Sequence, residues 1–217
     1  MTTMPTLYVY EHCPFCIKAR MIFGLKNIPF HLVTLLNDDV DTPTAMVGRK
    51  MVPILEQDGR YMPESLDIVA RIDADGAPVL TGARRPEIAQ WLSHTGSALY
   101  RQFLPRAAVA PFPEFATTSA RAYFLTNKEN PDLPFSAILK DSKTALDSLS
   151  PLLADLDALI QAPDAVNGTL SYDDIDLFAQ LHSFSIVRGL AYTGKVETYR
   201  QTLSKRTGIP LLDAIAI

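Results

Sequence analysis

LYVYEHCPFCIKARMIFGL, residues 7–25, holds both cysteines of the chain, Cys13 and Cys16, separated by two residues. Leu7-Tyr8-Val9-Tyr10 is β-branched and aromatic and predicts a strand. Pro14 suits the first turn of a helix, where a missing N–H costs no hydrogen bond. From there Ile17, Arg20, Met21, Phe23, Gly24 and Leu25 follow at roughly helical spacing, up to Asn27. Cys-x-x-Cys between a strand and an opening helix is the setting of a redox pair. The same spacing also begins a disulfide staple or half of a zinc site.

The remaining residues weigh these three readings. With 217 residues, 47% hydrophobic and 20% charged, the chain is globular, as one large domain or two small ones. A net charge of −4 leaves no electrostatic footprint for nucleic acid. The start MTTMPTLYVYEHC has no basic stretch leading into an apolar one, so no signal peptide is expected. No apolar run approaches the roughly 18–20 residues of a membrane span. A soluble, cytoplasmic protein with no membrane partner is therefore expected. A reducing compartment does not keep structural disulfides, and a bridge over two residues restrains the unfolded chain little. A structural zinc site takes four ligands, usually in two pairs. There is no second cysteine pair, and His12, His31, His94 and His182 make no pair at zinc spacing, so no metal is expected.

The redox reading has a physical basis. A helix N-terminus presents unpaired amide N–H groups and about half a positive charge. Cys13 at that end gains both as a thiolate. A fall in pKa from about 8.5 to about 5.5 would raise its thiolate fraction at pH 7 from about 3% to about 97%. Cys16, facing the first turn, suits a resolving thiol. His12 either helps to hold the thiolate or is an ordinary loop residue. Lys18 and Arg20 either add positive potential or form a solvated face.

Beyond the motif, Phe30 to Leu35 predicts a second strand, and Asp41-Thr42-Pro43 a helix cap and start, ending near Gly48. Met51 to Leu55 predicts a third strand, Asp58-Gly59 a hairpin turn and Arg60 to Met62 a fourth strand. Ser65 to Asp75 predicts a helix. The order is βαβαββα, with strands joined through helices expected to pair in parallel. Residues 76–86 carry two prolines and two glycines and read as a linker. Beyond it the signals are helical, starting with residues 87–104. Breaks stand at 111–115 and 130–134. Ala145, Leu146, Leu149, Leu152, Leu153, Leu156, Leu159 and Ile160 form one apolar stripe, read as a single bent helix despite Pro151. Leu170-Ser171-Tyr172-Asp173-Asp174-Ile175 reads as a capping box with a hydrophobic staple. Asp173, Asp174 and Asp176 are thus taken as helix-start residues rather than a metal cluster.

Cys13-Pro14-Phe15-Cys16, Val52-Pro53 and Pro63-Glu64-Ser65, followed by a helical half, resemble the glutaredoxin 2 family. So do ARMIFGLKNIP (19–29), MVGRKMVPIL (46–55), RYMPES (60–65) and NGTLSYDDIDLF (167–178). The likeness is loosest over 107–143. It implies an α/β plus all-α fold, like the glutathione S-transferases. A thioredoxin-like domain would cover 1–75, a linker 76–86 and an all-helical domain 87–217. It implies a glutathione-dependent thiol–disulfide oxidoreductase acting on glutathionylated or disulfide-containing proteins, and a monomer is expected. Cys13 would be the nucleophile, Cys16 the resolving thiol and Pro53 a cis-proline. Val52 would offer its backbone to glutathione as to an added strand. Ser65, at a helix start, would bind the γ-glutamyl carboxylate, with Glu64 assisting at the amino group. A plain helix cap is the other reading of Pro-Glu-Ser. Arg49 and Lys50 either meet the glycine carboxylate or are solvated charges. Phe15 departs from the family's usual tyrosine, which bears on substrate preference rather than reaction class. Two alternatives stand beside this reading: glutathione conjugation to electrophiles, which the architecture also fits but which needs no resolving thiol, and an iron–sulfur cluster with glutathione as co-ligand, as in some glutaredoxins. The helical half would select targets, shield Cys16 or stabilise the fold.

Overall fold

The computed structural model describes residues 3–217, without the side chains of 142, 144 and 145; Ala145 of the apolar stripe thus lies outside the described residues. The first half runs β1 (Thr6–Val9), α1 (Pro14–Leu25), β2 (His31–Thr34), α2 (Asp41–Val47), β3 (Ile54–Gln57), β4 (Arg60–Pro63) and α3 (Ser65–Asp73). This is the expected βαβαββα order. The sheet order is β2-β1-β3-β4. β1 and β2 pair in parallel, Thr6 opposite His31, as their helical connection predicts. β3, however, runs antiparallel to β1, with Ile54 opposite Tyr8 near the end where β2 also finishes. The α2 segment thus never carries the chain back along the sheet, and β3 takes the other edge of β1. Asp58 and Gly59, with φ of 52° and 74°, make the turn from β3 to β4. At α2 Asp41 is the first helical residue rather than the cap, which is Val40, and the Asp39 carboxylate just before it accepts the Thr42 N–H at 2.9 Å. β3 starts at Ile54, three residues later than expected.

The second half is helical: α4 (Pro86–Val109), α5 (Thr118–Lys128), α6 (Phe135–Lys140), α7 (Ser142–Leu159), α8 (Tyr172–Phe184) and α9 (Gly194–Thr207). A 3-10 turn at Pro113–Phe115 joins α4 to α5. α4 outruns its expected end at Leu104 and continues through Pro105. The next residue, Arg106, is buried and braces that turn: its Nη1 donates to the Gln102 carbonyl at 2.9 Å and its Nε to the Ile217 carbonyl at 2.9 Å. α7 runs unbroken past Pro151, and its stripe buries Leu149, Leu153 and Leu156. At α8 the capping box forms as read, with the Ser171 N–H donating to Asp174 Oδ2 at 2.8 Å.

The two halves meet along α1, which packs against α3 on its own side and against α8 and α9 across the seam. Gly24 is required there, since a Cβ would stand 2.2 Å from the Thr207 carbonyl oxygen of α9. This seam fixes the start of α1, and with it the cysteine pair, against the helical half.

Candidate active site

Cys13 is the cap residue of α1, with Pro14 at the first helical position. Its N–H donates to the Tyr10 carbonyl at 3.3 Å. No acidic side chain occupies the first turn of α1, and none caps it. The amide groups there are left to the thiol. Cys16, one turn on, is fully buried and accepts the Tyr10 N–H at 3.4 Å. Both thiols are free.

The two sulfurs are driven apart in acidity. The Cys13 thiol is lowered to about 7, chiefly by a hydrogen bond from the Cys16 thiol; burial opposes this, and His12 and the amides of Cys16 and Phe15 help. Burial pushes the Cys16 thiol well up, and the developing charge on Cys13 adds to it. Cys13 therefore stops short of the 5.5 envisaged from the helix field alone, because desolvation in the cleft offsets part of that field.

The cleft at Cys13 has a volume of about 330 Å³. The first half lines it with His12, Cys13, Phe15, Lys50 and Val52, and α4 and α5 contribute Tyr100, Phe103, Tyr123, Phe124, Asn127 and Lys128. Phe15 is about half exposed at the rim, under the Lys18 ammonium. Lys50 is committed: it donates to the Asn37 carbonyl and lies 3.8 Å from the centre of the Tyr123 ring.

Val52 reaches the cleft just before β3, and the peptide bond to Pro53 is cis. Pro53, Glu64, Ser65 and Arg49 are not among the cleft-lining residues. Glu64 sits at φ 70° as the cap residue of α3, yet its side chain does not cap. It accepts instead from Arg49 at 2.6 Å, with both side chains more than half exposed. Pro-Glu-Ser thus supplies the cap position of α3 through Glu64, without a side-chain cap bond. Ser65 is buried at the head of α3, with no side chain capping the amides beside it. Lys18 pairs with Asp176 at 2.7 Å and Arg20 with Glu11 at 2.6 Å, so neither is a free positive charge for the thiolate.

His12 is not an ordinary loop residue. It is 8% exposed, stacked on Tyr10 and surrounded by Phe103, Phe112, Phe115 and Phe124 of the helical half. Its Nδ1 lies 2.5 Å from Glu114 Oε1, and its backbone N–H donates to the same oxygen at 2.9 Å. Glu114, from the 3-10 turn before α5, is fully buried. Burial raises its carboxyl, but the His12 contacts outweigh this and hold it below the usual carboxylate range. Sequence reasoning passed over Glu114. Its one signal was a lone carboxylate in the otherwise apolar run APFPEFA, residues 110–116, where a charge needs a buried partner. Tyr100, Tyr123 and Lys128 were also missed; each is an unremarkable helix residue until the fold turns α4 and α5 towards Cys13.

Among the described residues no group of three or more histidine, cysteine or carboxylate side chains is placed to hold a metal. Asp173 accepts the Arg85 N–H and Asp174 the Val166 N–H, which are structural roles. No helix among them is long and apolar enough to cross a membrane.

Residues 87–216 match the family model described as Glutaredoxin 2, C terminal domain, and residues 7–78 that described as Glutathione S-transferase, N-terminal domain. The chain is 50% identical over 213 residues to Glutaredoxin 2 of Escherichia coli K12, covering 97% of this chain and 99% of the relative. A crystal structure of Glutaredoxin 2 from Salmonella typhimurium in complex with glutathione is 48% identical and superposes with a TM-score of 0.96, over 99% of this chain and 100% of that one. A glutathione S-transferase of Ceriporiopsis subvermispora, 14% identical with a TM-score of 0.73 over 96% and 99% of the two chains, shares the fold.

Proposed function

The chain belongs to the glutaredoxin 2 family, and on that premise we infer that it is a glutathione-dependent thiol–disulfide oxidoreductase with Cys13 as nucleophile. The observation that carries the reading is the split pair. Cys13, at the cleft, is lowered to about 7, while Cys16, buried beneath it, is pushed up. An attacking thiol needs to be a thiolate near neutral pH, and a resolving thiol does not.

In the monothiol route the Cys13 thiolate attacks the glutathione sulfur of a protein–glutathione disulfide. That S–S bond breaks, and the protein sulfur leaves and takes a proton. A second glutathione, as thiolate, attacks the Cys13–glutathione disulfide; oxidised glutathione leaves and the Cys13 thiolate returns. In the dithiol route Cys13 attacks a protein disulfide, and Cys16, losing its proton, closes on Cys13 and releases the reduced protein. Two glutathiones then reduce the Cys13–Cys16 bond.

Glutathione binding is supported by the Salmonella relative, which holds glutathione in its crystal. The seat proposed here uses the Val52 backbone beside Pro53, just outside the ladder that begins at Ile54, and the uncapped head of α3 at Glu64 and Ser65. Arg49, paired with Glu64, orients that carboxylate, and Lys50 lends positive charge to the cleft. Residues 1–75 and 87–217 are taken as the two units, joined by 76–86. The cytoplasm, where dithiols stay reduced, suits the chemistry.

The test is glutathione-dependent reduction of a glutathionylated peptide by the wild type, Cys13→Ser and Cys16→Ser. Turnover vanishes in Cys13→Ser and persists in Cys16→Ser if the roles are right. Conjugation of a model electrophile that survives Cys13→Ser would move the assignment to a transferase.

A further inference from the structure

We propose that Glu114 is a positioning residue for the thiol chemistry: through His12 it fixes a protonated imidazole beside Cys13, so the nucleophile depends on a carboxylate supplied by the helical half. The inference rests on the oxidoreductase reading and deepens it.

The geometry is specific. One oxygen of Glu114 receives both the His12 backbone N–H and Nδ1, which fixes the ring in position and in orientation. With Nδ1–H donated to a carboxylate, the charged imidazole is the better partner, and Cys13 is the next residue along the chain. The other oxygen, Oε2, is buried with no hydrogen-bond partner among the described residues. A buried carboxylate needs a counter-charge. Arg121, the nearest guanidinium of α5, donates to the Ala108, Ala110 and Phe115 carbonyls instead. Lys50 is held by Asn37 and Tyr123. His12 is left as the counter-ion, buried in an aromatic box.

Other ionisable groups face the site. Cys16 comes from α1, Tyr10 from just after β1, Tyr100 from α4, and Tyr123 and Lys128 from α5. Asp39, after β2, acts on Tyr10. Glu114 also acts directly on Cys16 and Tyr10, raising both, so its removal takes that field away as well.

The sign makes the test sharp. If Glu114 acted only through its own field, removing its negative charge would lower the Cys13 pKa. Acting through His12, its loss removes the cation and raises it. The experiment follows iodoacetamide alkylation of Cys13 against pH in the reduced, full-length wild type, Glu114→Gln, His12→Asn and the double variant. Near-UV circular dichroism reports the fold. The expected result is an apparent pKa raised by about one in Glu114→Gln, an alkylation rate at pH 7 lowered about fivefold, and recovery near pH 9. The double variant should match His12→Asn. An unchanged or lowered pKa in folded Glu114→Gln overturns the proposal, as does an unaltered pKa in His12→Asn. Should the variants misfold, nitrogen-15 spectra of the wild-type imidazole decide: a ring that is neutral while Cys13 titrates also overturns it. Alkylation needs no glutathione. A wild type that shows the low pKa without reducing the glutathionylated peptide refutes the function and leaves the relay standing.

Discussion

Helices α1 and α8 pack against one another, yet they begin in opposite ways. α8 opens with Ser171 as cap and Asp173 and Asp174 in its first turn. Asp174 accepts hydrogen bonds from the Ser171 and Val166 N–H groups and from the Tyr199 hydroxyl, tying the preceding loop and α9 to the helix start. α1 opens with Cys13 and has no acid and no capping side chain in that turn. Backbone amides exert the same pull at both ends. At α8 the sequence answers it with carboxylates and obtains rigidity. At α1 it leaves the pull to a thiol and obtains reactivity. A helix start that satisfies its own amides has none to lend to a reacting sulfur.

The largest way to break this pairing is to remove α8 and α9 altogether. A fragment ending at Asp75 keeps the cysteines but bares the face of α1 that meets those helices, including the Gly24 contact with Thr207. It should aggregate or lose its near-ultraviolet dichroism, because a contiguous apolar surface would face water. A soluble, ordered fragment with wild-type Cys13 alkylation would mean that α1 does not need its partner. A smaller effect is expected from Asp174→Ala. It leaves the Val166 and Ser171 N–H groups and the Tyr199 and Ser171 hydroxyls without this acceptor and should cost about 3 kcal/mol, read from the urea midpoint. Alkylation of Cys13 should keep its pH profile. If the profile moves as well, the two helix starts are energetically coupled.

The contrast also separates what the sequence displayed from what it concealed. Both helix starts were legible, because a cap, a proline and the hydrophobic spacing are all local. The hairpin at Asp58-Gly59 and the continuity of α7 past Pro151 were legible for the same reason. The direction of β3 was not, since nothing in residues 48–53 records which edge of β1 the strand joins. The end of α4 was hidden because Arg106 braces the turn through the carbonyl of Ile217, 111 residues on. Within the site, Cys13 and Cys16 declared themselves by spacing. Glu114 lies 102 residues from His12, and only the fold joins them. Lys18 and Arg20 illustrate the converse: their local placement suggested a field at the thiolate, but Asp176 and Glu11 take up both charges.

The smallest effect is also the one that compares the two helix starts on a single scale. Burial raises both acids. At Asp174 burial prevails over the donated hydrogen bonds, and the carboxyl sits above its usual range. At Cys13 the Cys16 thiol, His12 and the helix amides prevail over burial, and the thiol falls to about 7. Alkylation of reduced Cys13 should therefore climb about tenfold between pH 6 and pH 8 and level off above that, as the thiolate fraction does. A thiol of ordinary acidity would climb roughly 75-fold over the same interval and continue upward. The steeper curve would mean that the start of α1 gives Cys13 no more than solvent does, and the distinction drawn between the two helices would be lost.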